Sequence, residues 1–193
     1  MADSVTAQDK GSGFVAHDEG QFAAVCVDVV DLGERVEQYP GKPARIVAKC
    51  ALVFVTDTVG ETKEIAREVT VSMGEKANLR AFLEAWRGKS YTPEQATAGV
   101  PLHKLVGHAA LISVEHKRSA KGRTYGLIKT IAPLPKSMAA PSENGYARAD
   151  FWAERKKGYA EEAKQWAAKM LATSDEPPLP PEDEGDPDDD LPF

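Results

Sequence analysis

One segment of the chain, residues 116–136, contains several basic side chains and no acidic one. Its basic residues are Lys117, Arg118, Lys121, Arg123, Lys129 and Lys136. Ammonium and guanidinium groups at this density neutralise backbone phosphates, and a ring such as Tyr125 stacks on an exposed base for about 1–3 kcal/mol. Because every base has a π face, the segment predicts nucleic-acid binding that tolerates any sequence. A solvated basic loop beside a core tyrosine is the competing interpretation.

Residues outside this segment add to the same candidate surface. Arg45 and Lys49 lie on one face of a predicted strand, and Arg67 lies on the strand that follows. Tyr39 lies in the loop before Arg45. In this set the basic residues are expected to contact phosphates and the tyrosines to stack on bases. The predicted nucleic-acid contacts are Tyr39, Arg45, Lys49, Arg67, Lys117, Arg118, Lys121, Arg123, Tyr125 and Lys129.

Residue types used in catalysis and metal binding do not form recognisable motifs. The sequence contains no P-loop, no G-x-S-x-G and no H-E-x-x-H pattern. Its histidines and cysteines lack the short spacings of zinc ligands. We therefore expect a protein that is not an enzyme and that binds neither a metal nor a cofactor. Cys26 and Cys50 are expected to be free, buried thiols in a reducing cytoplasm, with one structural disulfide as the alternative. We find no signal peptide or membrane span.

Alternating apolar residues predict five strands, which cover residues 21–36, 45–54, 64–71, 105–116 and 123–132. The period changes between the third and fourth strands, where a helix is predicted. The apolar face of that helix consists of Leu79, Phe82, Leu83 and Trp86. Ser72 and Glu75 have the spacing of a capping box before it, Gly88 can end it, and Thr92 can cap a second, shorter helix. Phe54 shares the parity of buried strand residues and is expected in the core.

This order of elements predicts a mainly β protein built on an OB-fold, a five-stranded barrel with its helix between strands three and four. Such a barrel places the loop between the last two strands beside its nucleic-acid groove. The predicted loop, residues 117–122, belongs to the basic segment and has its glycine, Gly122, at the end. The predicted organisation is a flexible arm, an OB-fold DNA-binding domain, a linker, an amphipathic helix and a disordered acidic tail, over residues 1–13, 14–136, 137–149, 150–172 and 173–193.

The helix predicted over residues 150–172 carries a large apolar stripe. Its members are Trp152, Tyr159, Ala163, Trp166 and Met170. Packing of this stripe on the domain's own sheet is the simpler interpretation, and a homodimer seam is the alternative.

The end of the chain is strongly acidic. Residues 175–193 contain nine acidic residues and no basic one. The whole chain carries a net charge of −6, so residues 1–174 carry +3. Such a tail buries too little apolar surface to order itself. A basic body with an acidic tail can bind a polyanion and can also fold the tail onto the same surface.

The last six residues, Asp188, Asp189, Asp190, Leu191, Pro192 and Phe193, combine acidic side chains with a terminal aromatic ring. This tip resembles the acidic C-terminal tip of bacterial single-stranded-DNA-binding proteins, which ends Asp-Asp-Asp-Ile-Pro-Phe. Only Leu191 departs from that pattern. The resemblance implies that the six residues recruit replication and repair proteins.

The stretches Ala77–Glu94 and Leu105–Lys136 resemble the single-stranded-DNA-binding proteins of phage replication modules, in which an OB barrel carries an acidic tail. The resemblance implies sequence-independent binding of single-stranded DNA during phage or prophage replication, recombination or repair. It implies host or phage partner proteins at the tip and a place in the bacterial cytoplasm, on the nucleoid. The alternative is an OB-like interaction module that engages host replication enzymes through its tip without binding DNA.

Overall fold

The computed structural model describes residues 16–38, 41–58, 61–119, 122–142 and 149–173 of the 193-residue chain. Strands dominate, as predicted, and helices separate the third strand from the fourth. The elements are β1 (Gly20–Glu37), β2 (Arg45–Thr58), β3 (Glu61–Thr70), α1 (Asn78–Arg87), α2 (Pro93–Ala98), a short 3₁₀ helix (Leu102–Leu105), β4 (Ala109–Arg118), β5 (Thr124–Pro133) and α3 (Ala149–Thr173).

The five strands form one antiparallel sheet in the order β3-β2-β1-β4-β5. The first residues of β1 pair with β4, and most of the strand pairs with β2. Register shifts between Cys26 and Asp28 and between Asp31 and Gly33 mark bulges, which increase the twist of the long strand. No ladder joins β3 to β5 within the described residues, so the sheet is not closed. The five strands and the helix position are confirmed, whereas a closed barrel is not observed.

One face of the sheet packs against α1. Leu79, Phe82, Leu83 and Trp86 are buried, as their spacing predicted. They meet a core that includes the fully buried Phe54, whose ring centroid lies 5.2 Å from that of Trp86. The indole Nε1 of Trp86 donates to the Ala109 carbonyl at 2.9 Å, which satisfies its polar atom inside the core. Helix α1 therefore fixes the start of β4 relative to β2.

The ends of α1 only partly follow the sequence prediction. Gly88 ends the helix in the left-handed conformation (φ +64°), which an L side chain disfavours. The predicted capping box is wrong: Ala77 is the N-cap and makes no side-chain cap bond. A turn separates Ser72 from the helix, and the Ser72 hydroxyl instead accepts a hydrogen bond from the Gly74 N–H at 3.3 Å. Thr92 caps α2 in a capping box with Gln95.

The other face of β1, β2 and β3 is covered by α3. Trp152 and Tyr159 are buried against a cluster that includes Leu32, Ala51 and Val53. The apolar stripe therefore packs on the chain's own sheet over its N-terminal half. Farther along the helix the stripe is less protected, since Met170 is exposed.

Polar contacts hold α3 along the same face. The Tyr159 hydroxyl donates to Glu68 Oε2 at 2.8 Å, and Arg155 pairs with the same carboxylate. Burial raises the pKa of Tyr159, and the hydrogen bond to Glu68 raises it further. Lys156 Nζ lies 2.8 Å from Asp31 Oδ2, and its hydrogen bond lowers the pKa of Asp31. This face of the sheet therefore holds a second, smaller core under α3.

Both cysteines are free and buried. Burial raises the pKa of Cys26 to about 12 and the pKa of Cys50 to about 11, so neither thiol is activated as a nucleophile. Among the described helices, none is both long and apolar enough to cross a bilayer.

Candidate nucleic-acid interface

The end of β4 and the start of β5 form a two-stranded ribbon. On β4 its residues are exposed from Glu115 to Arg118. Its register places His116 opposite Gly126 and Lys117 opposite Tyr125. The ribbon ends in a loop in which the Gly122 N–H donates to the Ser119 carbonyl at 2.8 Å.

The loop geometry depends on residue type at two positions. Gly122, the last residue of the loop predicted over residues 117–122, has φ +78°, a conformation that favours glycine. The Ser119 N–H donates to the Arg123 carbonyl at 2.8 Å, and the Ser119 hydroxyl accepts from the Arg123 N–H at 3.0 Å. These bonds fix the backbone at Ser119 and Arg123, on the two sides of the loop.

Four of the predicted contact residues meet on this ribbon, and we call them the basic hairpin cluster: Lys117, Arg118, Arg123 and Tyr125. The three basic residues are exposed and Tyr125 is half-buried. Lys117 and Tyr125 are directly opposite on neighbouring strands, so their side chains share one face of the ribbon. The arrangement offers basic side chains for phosphates and places one of them, Lys117, beside an aromatic ring on the same face.

A short segment before β1 holds the base of the ribbon. His17 is buried, its Nε2 lies 2.7 Å from Thr56 Oγ1, and its carbonyl accepts from His116 Nε2 at 2.8 Å. A side chain at Gly126 would bring its Cβ within 3.1 Å of the His17 Cβ. The contacts of His17 thus tie β2, β4 and β5 together at this end of the sheet. Sequence analysis missed this role, because a single histidine near the start of a strand carries no pattern.

The residues beside His17 strengthen the same anchor. The Glu19 Oε1 accepts from the His116 N–H at 2.7 Å. Asp18 pairs with Lys63 of β3 at 2.7 Å, and the hydrogen bond from Lys63 lowers the pKa of Asp18. Residues 17–19 therefore contact all four strands β2 to β5, and the ribbon projects from a fixed base.

Lys129, another predicted contact, is exposed but has an acidic neighbour. Its Nζ lies 2.6 Å from Glu115 Oε1. Glu115 stands one position before the segment that lacks acids, so the sequence pattern did not include it. The ladder between β4 and β5 brings it onto the ribbon.

Arg45 and Lys49 form a separate cluster around Glu37 of β1. Lys49 is buried, pairs with Glu37, and donates to Thr70 Oγ1 at 2.9 Å. Arg45 Nη2 lies 3.8 Å from Glu37 Oε2. Antiparallel pairing of β1 with β2 across their connecting turn would have predicted this partner, because Glu37 is opposite Arg45. Binding of phosphate by either side chain stays a prediction.

Arg67 belongs to the edge strand β3, and its side chain reaches the other edge strand, β5. Its Nη1 donates to the Ile128 carbonyl at 2.8 Å, and its guanidinium lies 4.9 Å from the centroid of the Phe82 ring. The side chain therefore bridges two strands that no ladder joins in the described part of the chain. Its predicted contact with DNA stays a prediction.

The remaining predicted positions fall outside the described residues. These are Tyr39, Lys121 and the six residues of the tip, Asp188, Asp189, Asp190, Leu191, Pro192 and Phe193. Within the described part of the chain, no group of three or more histidine, cysteine, aspartate or glutamate side chains could hold a metal ion.

Comparison with known proteins adds no relative. No family model, no curated protein and no solved structure matches this chain.

Proposed function

We propose that this protein binds single-stranded DNA without regard to sequence, as a non-enzymatic component of phage or prophage replication, recombination or repair. The observation that carries the proposal is the basic hairpin cluster, in which Lys117 lies opposite Tyr125 and Arg118 and Arg123 are exposed on the same ribbon, which has a fixed base. Cations neutralise phosphates, and a ring among them stacks on a base.

The fold supports this proposal. The order of three strands, α1 and two further strands is compatible with an OB-fold, whose loop between strands four and five flanks the nucleic-acid groove. In our proposal the sheet is an OB-type barrel whose last seam, between β3 and β5, is held by Arg67 and α1. The basic loop then lies at the position from which OB proteins contact nucleic acid.

The covering helix restricts where DNA can bind. OB proteins also use the face of strands two and three for nucleic acid. Here α3 packs on β1 and covers part of this face at Ala51 and Val53, and the acidic Glu68 and Asp31 contact the helix. The proposed interface is therefore the ribbon and its loop, with a footprint smaller than a full strand face would give.

Stacking favours single strands over duplex. In a duplex each base is already stacked on its neighbours, and exposing it costs a few kcal/mol. Tyr125 is half-buried and shares a face with Lys117, so a strand whose phosphate lies on Lys117 can lay a free base on the ring. Duplex DNA can contact only the basic side chains, through its phosphates.

We further propose that residues 175–193 compete with DNA and recruit partner proteins. The nine acidic residues carry the charge of a short polyanion, and the tip ends in Phe193. An acidic segment that contacts the ribbon is displaced by DNA, which then leaves the tip available to host or phage proteins.

Fluorescence anisotropy with labelled single-stranded and duplex oligonucleotides tests the proposal. We compare the full chain with a form that ends at Ser174, at about 50 and 200 mM salt. We expect tighter binding to single strands than to duplex, and tighter binding without the tail, most of all at low salt. No binding by either form would contradict the proposal and would favour the interaction module that uses the tip alone.

A further inference from the structure

The ribbon face that carries Lys117 and Tyr125 also carries a carboxylate. Glu115 lies two residues before Lys117 on β4, and side chains two apart on a strand share a face. Glu115 is opposite Leu127, and Lys117 is opposite Tyr125. The acid therefore stands beside the proposed path of the DNA and not on the far side of the ribbon.

Glu115 holds a cation that would otherwise be free for phosphate. Its Oε1 lies 2.6 Å from Lys129 Nζ, and about half of each side chain is exposed (51% and 47%). Lys129 lies two residues after Leu127, the partner of Glu115, and is the extra residue of a bulge, since Ser113 pairs with Thr130 and Val114 pairs with Ile128. An exposed pair of this kind is weak, so another anion can displace the carboxylate.

We propose that Glu115 is a built-in competitor of phosphate, which pairs with Lys129 in the free protein and gives it up when a single strand binds. This inference depends on the proposed function and names a residue that regulates affinity at the same site. A carboxylate and a phosphodiester are both anionic oxygen acceptors for an ammonium group, so they compete for one cation. Glu115 also repels a strand that approaches Lys117, and it therefore limits affinity and helps release.

Replacement of Glu115 by Gln tests the proposal in the full-length protein with labelled oligo(dT). Glu115→Gln keeps the side-chain shape and frees Lys129, so the variant neutralises about one more phosphate. We expect binding about three- to fivefold tighter at low salt. The slope of log affinity against log salt should steepen by about 0.7.

The matched control is Glu162→Gln, which removes the same charge from an exposed position on α3. It should leave affinity and salt slope close to those of the unmodified protein. Lys129→Gln provides a second variant with the opposite sign: it leaves Glu115 unpaired beside Lys117, and binding should weaken about threefold. Thermal unfolding of all three variants checks that the ribbon is folded.

The outcomes separate this inference from the proposed function. If Glu115→Gln and Glu162→Gln have the same affinity and slope, Glu115 is not a competitor, although DNA binding stands. A Lys129→Gln variant that binds as tightly as the unmodified protein would likewise overturn the inference. If the unmodified protein does not bind oligo(dT), the proposed function fails together with it.

Discussion

Two groups of basic residues in this chain look alike in the sequence and differ in their surroundings. Lys117, Arg118 and Arg123 extend from an exposed ribbon. Lys49 and Arg45, on β2, surround the buried carboxylate of Glu37. Removal of a cation from a buried acidic partner destabilises the fold, because it leaves an uncompensated buried charge. The comparison teaches that basic content predicts a polyanion site only where the cations lack such partners.

The aromatic residues divide in the same way. Tyr125 stands half-buried among cations on the ribbon, whereas Tyr159 is buried under α3. Two guanidinium groups, of Arg35 and Arg155, lie 4.8 Å and 5.4 Å from the centroid of the Tyr159 ring. Tyr159 thus has the cation–aromatic chemistry of a nucleic-acid site but uses it to attach a helix. Only the accessible ring can stack on a base.

The largest expected effect is on the face covered by α3. Trp152→Ala removes a buried ring, and we expect the free energy of unfolding to fall by about 3–5 kcal/mol. Urea denaturation measures it. Phe151→Ala is the matched control, because the neighbouring ring is 42% exposed, and it should cost less than about 1 kcal/mol. Equal losses in the two variants would contradict the placement of α3.

A buried cation and an exposed one give the next test. Lys49→Met leaves Glu37 with a weaker partner, and we expect a loss of about 3 kcal/mol in the free energy of unfolding. Lys117→Met should leave the unfolding free energy within about 0.5 kcal/mol but reduce DNA affinity. Urea denaturation measures the unfolding free energy of both variants, and anisotropy measures their DNA affinity. The reverse pattern would remove the distinction between the two groups.

The tyrosines provide a smaller effect. Tyr125→Ala should weaken binding to single strands about tenfold, because one stacked base contributes about 1–3 kcal/mol. Tyr125→Phe keeps the ring and should bind nearly as well. Tyr159→Phe loses the hydrogen bond to Glu68 and should lower stability by about 1 kcal/mol without changing DNA affinity. Weaker DNA binding by the Tyr159 variant, with Tyr125→Ala unaffected, would reverse the assignment.

The ion pair between Lys156 and Asp31 gives the smallest effect, of less than about 1 kcal/mol. The hydrogen bond of Lys156 lowers the pKa of Asp31 in the folded state. Its contribution is therefore present above about pH 4 and is lost as pH falls through the lowered folded-state pKa. Asp31→Asn should be less stable than the unmodified protein at neutral pH and equally stable in acid. A difference that persists in acid would assign the effect to packing.

Most of the fold followed from periodicity in the sequence. Alternation predicted the strands, and the spacing of Phe82 and Trp86 predicted a buried helix face, because burial on one side imposes these periods. The capping box at Ser72 failed because a short motif does not determine where a helix begins when a turn can use the same hydroxyl. Closure of the sheet depends on contacts between β3 and β5, which are distant in sequence and leave no local pattern.

The candidate site was only partly predictable. The ribbon followed from the basic segment, since it is local in sequence and its loop ends in Gly122. The acidic partners of Lys49 and Lys129 could not be predicted in this way. Strand alternation assigns a residue to one face of the sheet but does not identify its neighbours on that face. Glu115 lies just outside the segment, and only the register of β4 with β5 brings it beside Lys129.

The most direct test of the account compares two charge-matched triple variants in the full-length protein. One changes Lys117, Arg118 and Arg123 to Gln on the ribbon. The other changes Lys157, Lys164 and Lys169 to Gln on α3, where all three are exposed.

We measure the salt dependence of oligo(dT) affinity by anisotropy for both variants. The account predicts that the ribbon variant binds roughly a hundredfold more weakly at low salt and that its salt slope is smaller by about 2, since three phosphate contacts are lost. The α3 variant should keep nearly the affinity and slope of the unmodified protein. Equal losses in the two variants would show that only net charge matters and would contradict a site on the ribbon.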